Sequence, residues 1–253
     1  MDIIQTLAWE LGKNAQHVEN VVRLLDEGNT IPFIARYRKE LHGAMDDTAL
    51  RTLEERLQYL RGLEERREAV KKSIDEQGKL TDELAAVIDS AKTLAEVEDL
   101  YRPYKQKRRT RATMAKEKGL EPLAALLFAQ ERDCPRPEEA ARDFVDPEKG
   151  VETVEDALQG ASDIIAEQIS DDAAIRKSLR ALISRQGQLV SRAATEDDSV
   201  YRLYYDFTQS VARLQGHQVL AINRGEKEGI LKVSVVLERE QALPLLRRAV
   251  VKP

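Results

Sequence analysis

A leucine at every third or fourth position between Leu50 and Leu63, continued by Val70 and Ile74, does most to limit how this chain folds. Leu50, Leu53, Leu57, Leu60 and Leu63 share one side of a helix, whereas in a strand they would alternate irregularly between both faces. The spacing predicts one helix from about Asp47 to Gln77, with Asp46 or Asp47 at its start and Gly78 at its end. About thirty residues at ~1.5 Å rise span about 45 Å. Glu and Arg fill the remaining positions, so ion pairs four residues apart are expected on the outer face. The leucine seam lasts only about two heptads, which favours a spine for packed subdomains over a coiled-coil arm.

The rest reads as shorter helices. Aromatic residues make up 5% of the 253 positions, hydrophobic residues 42% and charged residues 34%, a composition that favours helices over sandwiches or barrels. The stripes Ile3, Ile4, Leu7, Leu11 and Val18, Val21, Val22, Leu25 predict two helices before the spine. Thr30 is a cap for a short helix with Ile31, Phe33, Ile34 and Tyr37 on its apolar side and Arg36, Arg38 and Lys39 on the other. Two helical stretches meet at Ser170-Asp171-Asp172, an arrangement resembling a helix-turn-helix without a row of base-reading side chains. Beyond Gly216, Val219–Asn223 and Ile230–Leu237 are expected to form a β-hairpin around Arg224–Gly229. The fold class expected is mainly α and multihelical, with a long spine helix, a helix-turn-helix-like subdomain and a C-terminal β-hairpin. The expected divisions are 1–131, 132–215 and 216–253, and the close at LPLLRRAVVKP reads as a fragment continuing elsewhere.

Charge is concentrated in VEDLYRPYKQKRRTRATMAKEKGL, residues 97–120. Arg102, Lys105, Lys107, Arg108, Arg109, Arg111, Lys116 and Lys118 face only one acid after Asp99, namely Glu117. On a chain of net charge −5, such a segment is where an anionic partner is expected to be met, here a nucleic-acid backbone. Tyr101 and Tyr104 are placed to stack on bases. Pro103 argues against a helix over 101–104 and places Tyr104–Arg109 in a loop. The competing reading is a solvated face, or one whose bases pair with the protein's own carboxylates. Exposed, unpaired heads favour nucleic acid; guanidiniums buried against acids favour an interaction scaffold. Arg36, Arg38 and Lys39 pose the same alternative.

No catalytic residue, metal site or cofactor is expected, and the chain is not read as an enzyme. His17, His42 and His217 share no motif, and Cys134 is the only cysteine. GxSxG, HExxH and GxGxxG patterns are absent, and the glycines of GEKEG suit a turn. The acid pairs Asp46-Asp47, Asp171-Asp172 and Asp197-Asp198 fall at helix starts or in loops. A single cysteine, with neither a signal pattern nor a membrane-length apolar run, places the expected location in the cytoplasm.

The blocks TIPFIARYRKELHGAMDDTALRTLEERLQYL, EDLYRPYKQKRRTRATMAKEKGLEPLA, ALQGASDIIAEQISDD and GHQVLAINRGEKEGILKVS closely resemble the Tex family of bacterial transcription accessory proteins, in the family's order. The resemblance implies a multihelical N-terminal region, with a helix-turn-helix-like part, of a longer protein. In that family it is followed by RNase H-like, helix-hairpin-helix and OB-fold RNA-binding domains, the last of which holds much of the nucleic-acid affinity. It implies a non-catalytic module in transcription, with weak, backbone-directed contact to RNA or DNA. Its other expected partners are the transcription machinery and the family's C-terminal domains. The residues expected to carry that contact are Arg102, Lys105, Lys107, Arg108, Arg109, Arg111, Arg36, Arg38 and Lys39. The alternative is a protein-interaction scaffold whose basic loop is internally salt-bridged.

Overall fold

The computed structural model describes residues 2–106, 108–195 and 198–252. Two units are distinguished, one ending at Tyr104 and the other beginning at Lys105.

In the first unit, most helices begin where the sequence supplies a capping oxygen; Thr30, the expected cap of the helix at Ile31, stands at that position without a side-chain cap hydrogen bond. Asp2 accepts the Gln5 amide at the start of α1 (Ile3–Leu11), and Asn14 accepts that of Gln16 at the start of α2 (Ala15–Asp26). The short helices α3 (Ile31–Tyr37) and α4 (Lys39–His42) meet at Arg38. Asp46 then caps α5 (Asp47–Asp75) through the Ala49 amide at 2.7 Å. Thr81 and Thr93 cap α6 (Asp82–Ser90) and α7 (Leu94–Tyr101) in the same way. Arg102–Tyr104 follows as a 3-10 turn. Pro103 therefore sits inside a helical turn; at its second residue the missing proline N–H leaves no intrahelical bond unmade.

The spine is α5, and it belongs to two cores. Leu50, Leu53, Leu57 and Leu60 pack with Leu7, Val18, Val21, Ile31 and Ile34. Leu63, Val70 and Ile74 pack with Ile88 and Val97. Removing each such side chain from water contributes about 1.5–3 kcal/mol. The outer face departs from the expected pattern, because most of its bases reach other helices. Arg56 donates twice to Glu10 of α1, at 2.8 and 2.7 Å, and Arg61 twice to Asp26 of α2, at 2.7 and 2.8 Å. Arg66 pairs with Glu98 of α7, and Lys71 lies 2.8 Å from Asp89 of α6. Arg51–Asp47 alone among the described pairs of this helix spans four residues. Arg67 is buried, donating to Glu64 at 2.7 Å and to the carbonyl of Ala91.

The second unit opens with α8 (Arg111–Glu117), α9 (Glu121–Ala129) and α10 (Pro137–Arg142). The long α11 (Val154–Asp171) starts from a capping box between Thr153 and Asp156. It is separated by the single residue Asp172 from α12 (Ala173–Gln186), whose cap that residue supplies. The core here is rich in alanine, with Ala112, Ala115, Ala157 and Ala161 around Leu120, Leu123 and Ile164. Small side chains bring α8 close to α11. A Cβ at Gly160 would overlap Leu120 Cδ1 and lie 3.3 Å from Ala115 Cβ.

Strands β1 (Gln188–Ala193) and β2 (Asp206–Ser210) come next, then α13 (Gly216–Lys227), β3 (Leu231–Val236) and α14 (Arg239–Val250). The sheet is antiparallel in the order β2-β1-β3, with Ser191 opposite Phe207 on one side and Val233 on the other. The expected hairpin is corrected in its first strand: Val219–Asn223 lies within α13, and β3 pairs with β1. Gln218 accepts the Gln215 amide at the helix start. At its end, Gly229 donates to Glu226 and Ile230 to Gly225, a Schellman closure with Gly229 at φ 75°. Val219-Leu220-Ala221-Ile222 is too short for periodicity to separate strand from helix. Among the described residues no helix is long and apolar enough to cross a membrane.

Two outcomes test this packing. Arginine hydrogen bonds hold the Glu10 and Asp26 carboxyls below the usual carboxylate range. The unfolded chain therefore takes up protons first as pH falls. The stability from both pairs is complete above the ordinary carboxylate pKa and lost as pH drops through the lower folded values. Between pH 6 and 3, first-unit unfolding of E10Q/D26N, followed by hydrogen exchange, shows a shallower pH dependence than the parent; equal slopes contradict the assignment. Gly160→Leu overfills the α8–α11 contact and destabilises the second unit by about 1–3 kcal/mol. Faster amide exchange in α8 and α11, with α1 to α5 unchanged, is the result expected.

Candidate nucleic-acid interface

The basic segment is set in place by its last threonine. Thr110 caps α8 by accepting the Thr113 amide at 3.0 Å, and its hydroxyl lies 3.1 Å from Glu167 Oε1 on α11. Ala112 and Ala115 turn inward to the core. Arg109 and Arg111, on either side of Thr110, are thereby held outward.

Lys105, Arg108, Arg109 and Arg111 are exposed. Arg109 is 2.9 Å from Glu117, the acid the sequence singled out, in a pair with both side chains in solvent. Such pairs contribute about 0–1 kcal/mol and dissociate readily. Among the described residues, no carboxylate pairs with Lys105, Arg108 or Arg111. On α5, by contrast, Arg51, Arg56, Arg61, Arg66 and Arg67 all hold acids. Lys107 lies outside the described residues.

Below Arg111 is a shallow cavity of about 280 Å³, lined among others by Met114, Lys118, Gly160, Asp156 and Asp163. It holds both signs of charge. Hydrogen bonding from Thr153 keeps the Asp156 carboxyl below its usual range, so the anion persists there. Lys118 Nζ donates to the Gly150 carbonyl at 2.7 Å.

Arg36, Arg38, Lys39 and Arg102 belong to the first unit. Arg102 is exposed on the 3-10 turn and already has an interaction within the fold. Arg36 and Lys39 are exposed and Arg38 half-buried, with no carboxylate partner among the described residues. The structure alters the expected side-chain arrangement of α3. Ile31 and Ile34 enter the core, Phe33 is half-buried, and Tyr37 faces solvent. The arginines lie over these rings: Arg36 Cζ is 5.9 Å from the Tyr37 centroid and Arg38 Cζ 5.2 Å from that of Phe33. The signal available in the sequence was the spacing of two aromatics four apart with arginines beside the second.

The expected role of Tyr101 and Tyr104 is corrected. Both rings pack against the second core of the first unit. The Tyr101 hydroxyl bonds Ser73 at 2.9 Å, and Arg66 covers its ring. Tyr104 is half-buried against the same core. Among the described residues, no three His, Cys, Asp or Glu side chains converge as metal ligands do.

Comparison with known proteins follows these two units. Residues 1–75 match the Tex-like protein N-terminal domain, and residues 133–250 match the Tex central region. The chain is 46% identical over 241 residues to protein tex of Bordetella pertussis, covering 94% of this chain and 30% of that protein. It is 43% identical over 240 residues to transcriptional accessory protein Tex of Neisseria gonorrhoeae, covering 93% and 31%. Human S1 RNA-binding domain-containing protein 1 is 30% identical over 245 residues, covering 92% and 24%. The chain belongs to the Tex-like protein family, of which it carries the N-terminal domain and central region. It spans about a third of the length of the curated relatives it matches. The basic segment lies between the two matched regions.

Proposed function

We propose that this chain is a non-catalytic module of a Tex-like transcription accessory protein, contributing backbone-directed contact to RNA or DNA through Lys105, Arg108 and Arg111. The observation that carries this reading is the division of cations. Among the described residues the five arginines of α5 hold carboxylates, whereas Lys105, Arg108 and Arg111 stand exposed without one. Unpaired surface cations displace condensed counterions from phosphates, a favourable term that falls as salt rises. Neither base-edge hydrogen bonding nor groove insertion is required, so the contact is indifferent to sequence. The names of two relatives, a transcriptional accessory protein and an S1 RNA-binding domain-containing protein, agree with a nucleic-acid partner. The module acts in the cytoplasm, beside the transcription machinery and the further domains of a longer protein. The Arg109–Glu117 pair supports a second reading, in which the segment is internally paired and the module is a scaffold.

A salt series with labelled single-stranded RNA and matched duplex DNA separates the two. The parent binds at low salt with an affinity that falls steeply as salt rises. In K105A/R108A/R111A the slope of log affinity against log salt flattens by about 2 to 3, close to one per lost phosphate contact. A folded parent that binds neither polymer at low salt contradicts the proposal and leaves the scaffold.

A further inference from the structure

The α3–α4 corner combines features that the segment before α8 lacks. Phe33 and Tyr37, one helical turn apart, have ring centroids 5.2 Å apart and planes inclined at 48°. Tyr37 is 55% exposed, and its hydroxyl bonds no other group among the described residues. Arg36 and Arg38 lie near these rings, and the Tyr37 carbonyl accepts from Arg38 Nη1 at 3.1 Å, fixing that guanidinium beside the aromatic pair. Lys39 follows on the exposed side. The adjacent acid, Glu40, is exposed and pairs with none of these bases. The core needs Ile31 and Ile34 from this helix, not Tyr37.

We propose that this corner is a stacking platform for a single-stranded polynucleotide, with a base on the Tyr37 ring and the flanking phosphates on Arg36, Arg38 and Lys39. The inference rests on the reading of the chain as a nucleic-acid-binding module, and it adds a strand preference to it. An exposed aromatic face accepts any base, because every base has a π-face, and neighbouring cations neutralise the phosphates. In a duplex those base faces are already stacked, so the platform selects single strands. An acidic peptide meets the cations equally well but gains nothing specific from the ring.

The test measures binding of the 253-residue chain to a labelled 12-mer of uridine, its deoxythymidine counterpart, an abasic 12-mer and a duplex. Tyr37→Ala is expected to weaken binding of both single strands by roughly five- to tenfold or more. Tyr37→Phe retains the ring and stays within about twofold of the parent. The parent holds the abasic strand about as weakly as Y37A holds the intact one, and duplex affinity does not change in Y37A. Equal affinities of Y37A and parent for the intact strands, or of the parent for intact and abasic strands, overturn the platform. So does an acidic peptide that competes against R36Q/R38Q-sensitive binding with no dependence on Tyr37. Loss of the salt slope in K105A/R108A/R111A, with Y37A unaffected, overturns the platform and leaves the proposed function standing. No binding of any polymer overturns both.

Discussion

The shared leucine seam of α5 is the constraint on which the first unit depends. One helix supplies Leu50, Leu53, Leu57 and Leu60 to one core and Leu63, Val70 and Ile74 to the next. Neither core closes without it. A helix fixed along one side also fixes the azimuth of its charged side, and here that side is covered at both ends by helices bearing acids. Glu10 and Asp26 meet it near the start, Glu98 and Asp89 near the end. Each pair is worth little singly, but all four depend on the same azimuth. A cation density that resembles a binding stripe in the sequence is therefore structural in the fold.

The second unit reaches a different result from different residues. Its core is built on alanine and Gly160, so the helices lie close together and few long apolar side chains are needed. Thr110 ties the start of α8 to Glu167 and leaves the preceding bases outside. Charge balance does the rest. With Glu117 as the one acid after Asp99 in the segment, already paired with Arg109, no carboxylate among the described residues pairs with Lys105, Arg108 or Arg111. Sequence supplies the excess of bases, and packing decides which of them stay unpaired.

How far the fold was legible follows from the length of each signal. The α5 stripe runs for several turns and could be placed within two residues at its end, and the two helices expected to meet at Ser170-Asp171-Asp172 do so, with Asp172 as the cap of the second. Val219–Ile222 offered four apolar residues, which either period fits, and the caps at Gln215 and Gly229 decided for helix. Strands β1 and β2 were not anticipated, because their sequences, QLVSRA and DFTQS, mix polar and apolar residues and pair only across a long connection. At the site, the excess of bases was visible, but which ones hold acids was not, since Arg56–Glu10 joins residues 46 apart. The tyrosines show the same limit in reverse. Tyr101 and Tyr104 stood beside the bases in sequence yet pack inward, while Tyr37, assigned to an apolar face, points out.

Photo-crosslinking tests the central division directly. The chain is bound to an RNA carrying 4-thiouridine, irradiated and digested, and the adducts are mapped to peptides. The division of cations predicts adducts on the segment from Lys105 to Met114 and none on α5, despite the many bases of that helix. Adducts concentrated on α5, whose arginines hold acids, would show that pairing with carboxylates does not decide which cations meet nucleic acid.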